Sequence, residues 1–194
     1  MQSKSEEAKP LTRTQQARRD DIIQAAITVL DTDGFAAASV DRIAQAAHTS
    51  KATVLYHFST KEAIYDQVVR ALYETGRANM VGPLDAATAT SGKAMLATYL
   101  DTNLRFIAAH KTHVNAVHEI LQNRFAAYDL PDGITELANL LATAQHDGTL
   151  GDFDPTVMAF AIRAVIDGFS FHVGQVDLDH GVAQIIDLFT KATK

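Results

Sequence analysis

Two short amphipathic segments, separated by only a few residues, are the feature that most limits how this chain can fold. The first is preceded by Ser39 and carries apolar residues at helical spacing, namely Val40, Ile43, Ala44 and Ala47. The second runs from Lys51 to Phe58 and is preceded by Ser50. A serine hydroxyl accepts a hydrogen bond from an amide of the first helical turn, so each serine marks a helix start. Two helices of about two turns each, joined by His48 and Thr49, predict a helix-turn-helix unit.

The rest of the chain also has helical periodicity. A longer first helix is predicted from the spacing of Ile22, Ala26, Val29 and Leu30, with Gly34 as a left-handed stop. Ser59 and Glu62 predict a capping box that opens a fourth helix, and Gly82-Pro83 predicts its end. Later helices are predicted at about 92–110, 113–127, 133–147, 155–174 and 179–192. Because no segment alternates like a strand, the predicted fold is all-α, with about nine helices.

Composition excludes several kinds of chemistry and locates the charge. The absence of cysteine excludes disulfides, iron–sulfur clusters, cysteine-ligated zinc and thiol catalysis. Neither a long apolar run nor a secretory signal is recognisable, so a cytoplasmic location is expected. Residues 1–61 contain eight Lys and Arg against seven Asp and Glu, whereas residues 62–194 contain nine against sixteen. The net charge of −6 therefore belongs to the second part, and a small basic module precedes it.

The short third helix has one polar face of a kind that suits nucleic acid. Val54 and Phe58 are four residues apart and are predicted to face the core. Thr53 can contact bases, and Lys51 and Tyr56 can reach phosphates. Lys61 adds charge at the start of the fourth helix. A capped helix with a merely solvated face is the alternative interpretation.

The segment SVDRIAQAAHTSKATVLYHFSTKEAIYDQVV resembles the DNA-binding domain of the TetR family of transcriptional regulators. The family pattern is matched by Gly34-Phe35, Ile43-Ala44, Ser50-Lys51 with Thr53, Tyr56-His57-Phe58 and Lys61-Glu62. His48 stands where the family usually has glycine, which requires a left-handed histidine. Leu55 occupies a position that is often a phosphate-contacting tyrosine, which leaves the aromatic contact to Tyr56. The resemblance covers about residues 17–70.

The resemblance implies a division of the chain and a set of DNA contacts. A flexible arm is expected at 1–14, a three-helix DNA-binding domain at 15–62 and a helical-bundle domain for effector binding and dimerisation at 63–194. The function implied is a dimeric regulator, most simply a repressor, that binds a pseudo-palindromic operator and is released by a small molecule. The residues expected to bind DNA are Ser39, Arg42, Thr49, Ser50, Lys51, Thr53, Tyr56, His57 and Lys61.

The eighth predicted helix is apolar on nearly every side between Val157 and Phe171. The last helix has a single apolar stripe. A neighbouring subunit would cover the additional apolar surface, although both could instead be internal core helices. The expected dimer contacts are Ile162, Val165, Phe169, Val182, Ile185, Ile186 and Phe189.

The helix at 92–110 has a mixed second stripe that is compatible with a ligand pocket. Tyr99, Asn103, Phe106 and His110 combine aromatic and hydrogen-bonding groups beside a plain leucine stripe. Arg163 and Asp167 either close this predicted effector site or pair with each other. A solvated second stripe is the alternative.

Other functional classes find less support in the sequence. His110, His113 and His118-Glu119 invite comparison with metal sites, but HEILQ is not the HExxH motif, so no metal is expected. No nucleophile elbow, phosphate loop or cofactor fingerprint is present, and neither an enzyme nor a cofactor is expected. A helical protein-interaction module, or a small-molecule-binding protein without sequence-specific DNA binding, remains the alternative.

Overall fold

The computed structural model describes residues 11–124 and 133–194, and the secondary structure of these residues is helical. The helices are α1 (Arg13–Ala37), α2 (Val40–Ala46), α3 (Lys51–His57), α4 (Lys61–Thr88), α5 (Gly92–Ala109), α6 (Lys111–Arg124), α7 (Gly133–His146), α8 (Pro155–Ser170) and α9 (Leu178–Ala192). The described residues form no strand, and one isolated bridge joins Val173 and Val176. The predicted all-α fold is confirmed. None of the described helices is long and apolar enough to cross a membrane.

The local signals of the helix-turn-helix act as the sequence predicts. The Ser39 side chain accepts a hydrogen bond from the Arg42 amide at 3.1 Å, and the Ser50 side chain accepts one from the Thr53 amide at 3.0 Å. Between the two helices His48 has a φ of 49°, the left-handed conformation that was expected there. These caps and this turn fix where α2 ends and α3 begins.

Three predicted helix boundaries were wrong. The cap of α4 is Thr60 rather than Ser59, since the Thr60 side chain accepts from the Ala63 amide at 3.1 Å. The same helix does not end at Gly82-Pro83 but continues through Pro83 to Thr88. Leu84, which follows the proline, packs against the core, and this packing stabilises the last turn. Helix α8 ends at Ser170 instead of residue 174.

The other boundaries are closer to prediction. Gly34 has a φ of 78° and a ψ of 171°, which interrupts α1, but the chain resumes helical geometry up to Ala37. The predicted arm at 1–14 falls mainly outside the described residues, and α1 begins at Arg13. Helix α6 begins two residues earlier than predicted, and its predicted end at 127 lies outside the described residues.

Two hydrophobic cores organise the helices. The first core joins α1, α2, α3 and the amino-terminal half of α4 to α6, which contributes Val114, Ala116, Val117 and Ile120. The second core joins α5, α7, α8 and α9. Helix α6, although it follows the predicted boundary at 62, thus packs against α1 and α4, which flank the helix-turn-helix. Through α1 and α4 the helix-turn-helix is therefore attached to a helix of the second part of the chain.

The faces of α8 and α9 require a change in the predicted dimer contacts. Ile162, Val182 and Phe189 are buried in the second core of their own chain, so they offer no surface to a second subunit. Val165, Phe169, Ile185 and Ile186 are partly buried against the same core. The apolar residues of α8 that do reach solvent lie on another face, at Val157, Phe160, Ala161 and Ala164.

Candidate functional site

The outward face of α3 is the most distinctive surface of the helix-turn-helix. Val54 and Phe58 are buried in the first core and fix the rotation of the helix. Tyr56 is 74% exposed on the opposite side, and Lys51 is also exposed. Thr53 lies between the two faces, half-buried. The side chains of α3 that are predicted to contact bases and phosphates therefore all reach the surface.

Three of the predicted DNA-binding residues have structural roles in the unbound protein. The hydroxyls of Ser39 and Ser50 cap α2 and α3. Ser50 Oγ also lies 2.8 Å from Thr53 Oγ1. Thr49 is half-buried, and its amide donates to the Ala44 carbonyl at 2.9 Å, which closes the turn. These hydrogen bonds fix the position of α3, and the contact with Ser50 Oγ orients the Thr53 side chain.

The carboxyl-terminal end of α3 is attached to α1 through Arg19. The Arg19 guanidinium lies over the Phe58 ring, 4.0 Å from its centroid, and donates a hydrogen bond to the His57 carbonyl. The rings of Tyr56 and His57 meet edge to face at 5.1 Å. Burial, together with the positive charge of Arg19, lowers the pKa of His57. His57 is thus a neutral hydrogen-bonding group at neutral pH rather than a cation.

The three predicted cations of the surface differ in their partners. The Arg42 guanidinium Nε lies 2.6 Å from Asp33, and the Lys51 ammonium lies 2.8 Å from Asp41. Lys61 is half-buried, and its ammonium lies 5.4 Å from the centroids of two rings, those of Phe35 and Tyr65. Phosphate would have to displace a carboxylate from Arg42 and Lys51 but not from Lys61.

The aromatic, amide and imidazole residues predicted for the effector site lie on α5 or at its carboxyl-terminal cap, and two of them, Asn103 and His110, bond to carbonyls of that helix. Tyr99 is 9% exposed and belongs to the second core. The Asn103 amide donates to the Tyr99 carbonyl at 2.8 Å. His110 Nδ1 lies 2.9 Å from the Phe106 carbonyl, and the two rings stack at 4.2 Å. Asn103 therefore does not need a ligand to satisfy its amide.

Arg163 and Asp167 form an ion pair on α8 at 3.1 Å, as one of the two predicted arrangements had it. Although burial acts to lower the pKa of Arg163, nearby Tyr99 and Asp167 outweigh it and the pKa is raised. Tyr73 of α4 faces the same pair, and burial raises its pKa. The structure thus brings Tyr99 together with Arg163 and Asp167 in a polar cluster between α4, α5 and α8. Sequence reasoning missed Tyr73, whose position on the cluster depends on how α4 packs.

Contacts between α6 and α1 were also missed because they are distant in sequence. The Phe35 amide donates to the Glu119 carboxylate at 2.9 Å, and the Asn115 amide donates to Asp31 at 2.7 Å. His113 Nε2 lies 2.7 Å from the Val68 carbonyl of α4. Helix α6 is therefore joined to α1 and α4, the two helices that flank the helix-turn-helix.

Two of the surface cavities that the described residues form are not lined by the predicted effector residues. One, of about 210 Å³, lies beside the turn between α4 and α5 and is lined partly by Thr88, Ser91 and Thr149. The other, of about 270 Å³, lies between α1, α6 and Phe171. Among the described residues no group of three His, Asp or Glu side chains is arranged to hold a metal ion.

Known proteins resemble this chain both in the helix-turn-helix and over nearly its whole length. The family model described as bacterial regulatory proteins, tetR family, matches residues 22–68. The transcriptional regulator RutR of Escherichia coli O157:H7 is 25% identical over 190 residues, which are 94% of this chain and 87% of RutR. The negative transcriptional regulator IcaR of Staphylococcus aureus is 36% identical over 56 residues, which are 29% of this chain and 30% of IcaR.

A solved structure extends the likeness to the fold of both cores. The crystal structure of AibR in complex with isovaleryl coenzyme A and operator DNA superposes with a TM-score of 0.72, covering 91% of this chain and 97% of that one at 16% identity. These relatives are regulators rather than enzymes. The matched residues 22–68 include the caps, the left-handed turn and the exposed face of α3 described above. Within residues 22–68 the chain is therefore similar to the tetR family of bacterial regulatory proteins.

Proposed function

We propose that this protein is a ligand-responsive repressor that binds a pseudo-palindromic operator as a homodimer and is released by a small molecule. The observation that carries the proposal is the surface of α3, where Lys51 and the 74% exposed Tyr56 are accessible and Thr53 is half-buried, while Val54 and Phe58 are buried in the core. A short helix held in this way fits the major groove, where its side chains meet base edges. The similarity of residues 22–68 to the tetR family model supports the same function.

The side chains of this face have different roles in the proposed complex. Thr53 contacts bases, because its hydroxyl and methyl groups suit base edges and thymine methyls. Tyr56, Lys51 and Lys61 contact phosphates, which position the protein without reading sequence. Lys61 needs no rearrangement of an ion pair, since it forms none with a described residue.

The dimer that we propose uses the solvent-facing stripe of α8 rather than the buried residues of the initial prediction. Val157, Phe160 and Phe171 are 63%, 55% and 57% exposed, and Ala161, Ala164 and Gly168 lie between them on the same face. Leu188 of α9 is 56% exposed. A stripe of large apolar residues separated by small ones allows a second helix to approach closely. A second copy of the chain would cover it and present two reading helices about 34–36 Å apart, one turn of DNA.

The effector site that we propose is the polar cluster between α4, α5 and α8. It contains Tyr99, Arg163 and Asp167, with Tyr73 added by the structure. Asn103, Phe106 and His110 continue along α5 from Tyr99 toward α6. A ligand that binds better to a conformer in which these helices are parted would stabilise that conformer. AibR, a protein of this fold, forms a complex with isovaleryl coenzyme A and operator DNA.

Helix α6 gives such a conformer a route to the DNA-binding surface. It contacts α8 where His118 Nε2 lies 3.2 Å from Ser170 Oγ, and it contacts α1 through Glu119 and Asn115. A ligand that binds better to a conformer with α6 displaced will weaken operator binding, and the operator will weaken ligand binding by the same factor.

The DNA-binding proposal is tested by selecting bound duplexes from a random pool and measuring affinity against salt concentration. Lys61→Ala is expected to weaken binding to all duplexes and to reduce the salt slope by about one unit. Thr53→Ala is expected to change the selected sequence instead. Lys191→Ala is the matched control, since Lys191 pairs with Asp187 on α9. If the unmodified protein binds no duplex at low salt, the proposal is wrong and the protein-interaction alternative stands.

The dimer is tested by sedimentation at micromolar protein concentration. Phe160→Asp places a charge in the centre of the exposed stripe and should yield monomers that keep their helical content. Val81→Asp is the control, because Val81 is 53% exposed on α4, outside the stripe. A dimer that withstands Phe160→Asp would place the interface elsewhere.

A further inference from the structure

Acidic side chains on the helix-turn-helix lie against the cations that would contact DNA. Asp41 stands 2.8 Å from the Lys51 ammonium, and Asp33 stands 2.6 Å from Arg42 Nε. Both contacts join residues that are close in space but nine or ten positions apart in sequence. Between residues 33 and 62 the remaining charges are Lys61 and Glu62, so the reading surface has no net charge with histidine neutral.

The Asp41–Lys51 ion pair contributes little to the stability of the fold. The two side chains are 67% and 55% exposed, and exposed ion pairs contribute little to stability because water and salt screen them. Lys51 at the first position of α3 is even unfavourable to that helix, since the amino end of a helix dipole is positive. A pair that is weak in itself is easily exchanged for another anion.

The Asp33–Arg42 pair is more firmly held. Asp33 also accepts a hydrogen bond from Thr32 Oγ1 at 2.9 Å, and Arg42 donates to the Gln45 side chain at 3.3 Å. Its hydrogen bonds with Arg42 and Thr32 lower the pKa of Asp33, so the carboxylate keeps its charge. The guanidinium is therefore occupied on one edge before DNA arrives.

We infer that Asp41 and Asp33 serve as built-in counter-ions that phosphate must displace from Lys51 and Arg42, and that they thereby set a low affinity for DNA in general. The inference rests on the proposed function, because it concerns the same surface. Affinity for non-operator DNA comes almost entirely from the neutralisation of phosphates by lysine and arginine. A cation already paired with a carboxylate of its own chain gains less from a phosphate. Binding then depends more on the base contacts of α3, which only an operator supplies.

The test measures the affinity of the full-length protein for a labelled 30-base-pair duplex of mixed sequence, at several salt concentrations. Asp41→Asn keeps the size of the side chain and removes its charge. It should tighten binding by up to about eightfold at 0.1 M salt and steepen the salt slope by nearly one unit. Asp33→Asn should act in the same direction. Asp187→Asn is the matched control, since it breaks the 2.6 Å pair with Lys191 on α9 and should leave DNA binding unchanged.

A double-mutant cycle separates the counter-ion role from general repulsion of DNA. In a Lys51→Ala background, Asp41→Asn should change affinity by less than about twofold, because no cation remains for Asp41 to occupy. An equal gain in both backgrounds would overturn the inference in favour of direct repulsion between Asp41 and phosphate. Unchanged or weakened binding by Asp41→Asn would also overturn it, once circular dichroism shows that the variant is folded. If the unmodified protein binds neither this duplex nor a selected one, both the proposed function and this inference are wrong.

Discussion

Replacement of Arg19 by alanine should destabilise the helix-turn-helix, because this side chain joins the carboxyl-terminal end of α3 to α1. The guanidinium lies 4.0 Å from the centroid of the Phe58 ring and donates to the His57 carbonyl. A cation over an aromatic ring contributes about 0.5–2 kcal/mol, and a hydrogen bond from a charged donor about 1.5–3 kcal/mol. The His57 carbonyl can turn to water after the substitution, which recovers part of the second contribution. We therefore expect Arg19→Ala to lower the free energy of unfolding by about 2 kcal/mol.

The assay is urea unfolding followed by circular dichroism, together with operator binding at a temperature where the variant stays folded. Arg19→Lys keeps the charge without the planar stacking group and should recover about half of the loss. Arg18→Ala is the control and should cost less than about 0.5 kcal/mol, since the ion pair that Arg18 forms among the described residues is an exposed one with Asp21 at 3.5 Å. If Arg19→Ala changed the free energy of unfolding by less than about 0.5 kcal/mol but greatly weakened DNA binding, Arg19 would not stabilise the end of α3 and would instead be a phosphate contact.

Two further predictions concern histidines. His48→Gly should be neutral or stabilise the protein by up to about 1 kcal/mol. Glycine removes the strain of a φ of 49°, but it loses more chain entropy on folding. If urea unfolding showed that the substitution lowers the free energy of unfolding by more than about 1 kcal/mol, the account of the turn would be contradicted. Burial lowers the pKa of His113 below its ordinary value of 6.5, so the unfolded chain binds more protons than the folded one as pH falls through that range, and stability decreases with it. His113→Gln, which can still donate to the Val68 carbonyl, should therefore show a shallower decrease between pH 7 and 5, and an equal decrease would place the proton uptake on another group.

The helix-turn-helix could be predicted from the sequence because its determinants are local. Each cap bonds an amide only three residues away, as Ser39 and Ser50 do. The conformation of His48 follows from the short connection between the two helices. Thr60 replaced the predicted Ser59 as a cap because both residues can accept the bond, and only the burial of Ile64 and Tyr65 settles the register of α4.

The dimer surface and the ligand cluster could not be read in the same way. Periodicity indicated that α8 is apolar all round, but which residues face the core depends on the packing of α5 and α7 against it. Ile162 is therefore buried while Phe160, two positions earlier, is exposed. Likewise, the continuation of α4 beyond Pro83 depends on the contact of Leu84 with the second core, which no local pattern in the sequence reports.

The division between local and distant determinants bears on how the proposed regulator responds to a ligand. Caps and core residues within 39–58 build α3, so its shape does not depend on the second core. Its placement depends on α6 as well, because the Glu119 and Asn115 side chains of α6 form hydrogen bonds with α1 on both sides of Asp33. The Glu119 bond falls at Phe35, directly after the positive-φ Gly34, where the helical bonding of α1 is interrupted and the Phe35 amide can donate to an acceptor outside the helix. A shift of α6 can therefore move the reading helix as a unit, changing the separation of two such helices in a dimer without unfolding either.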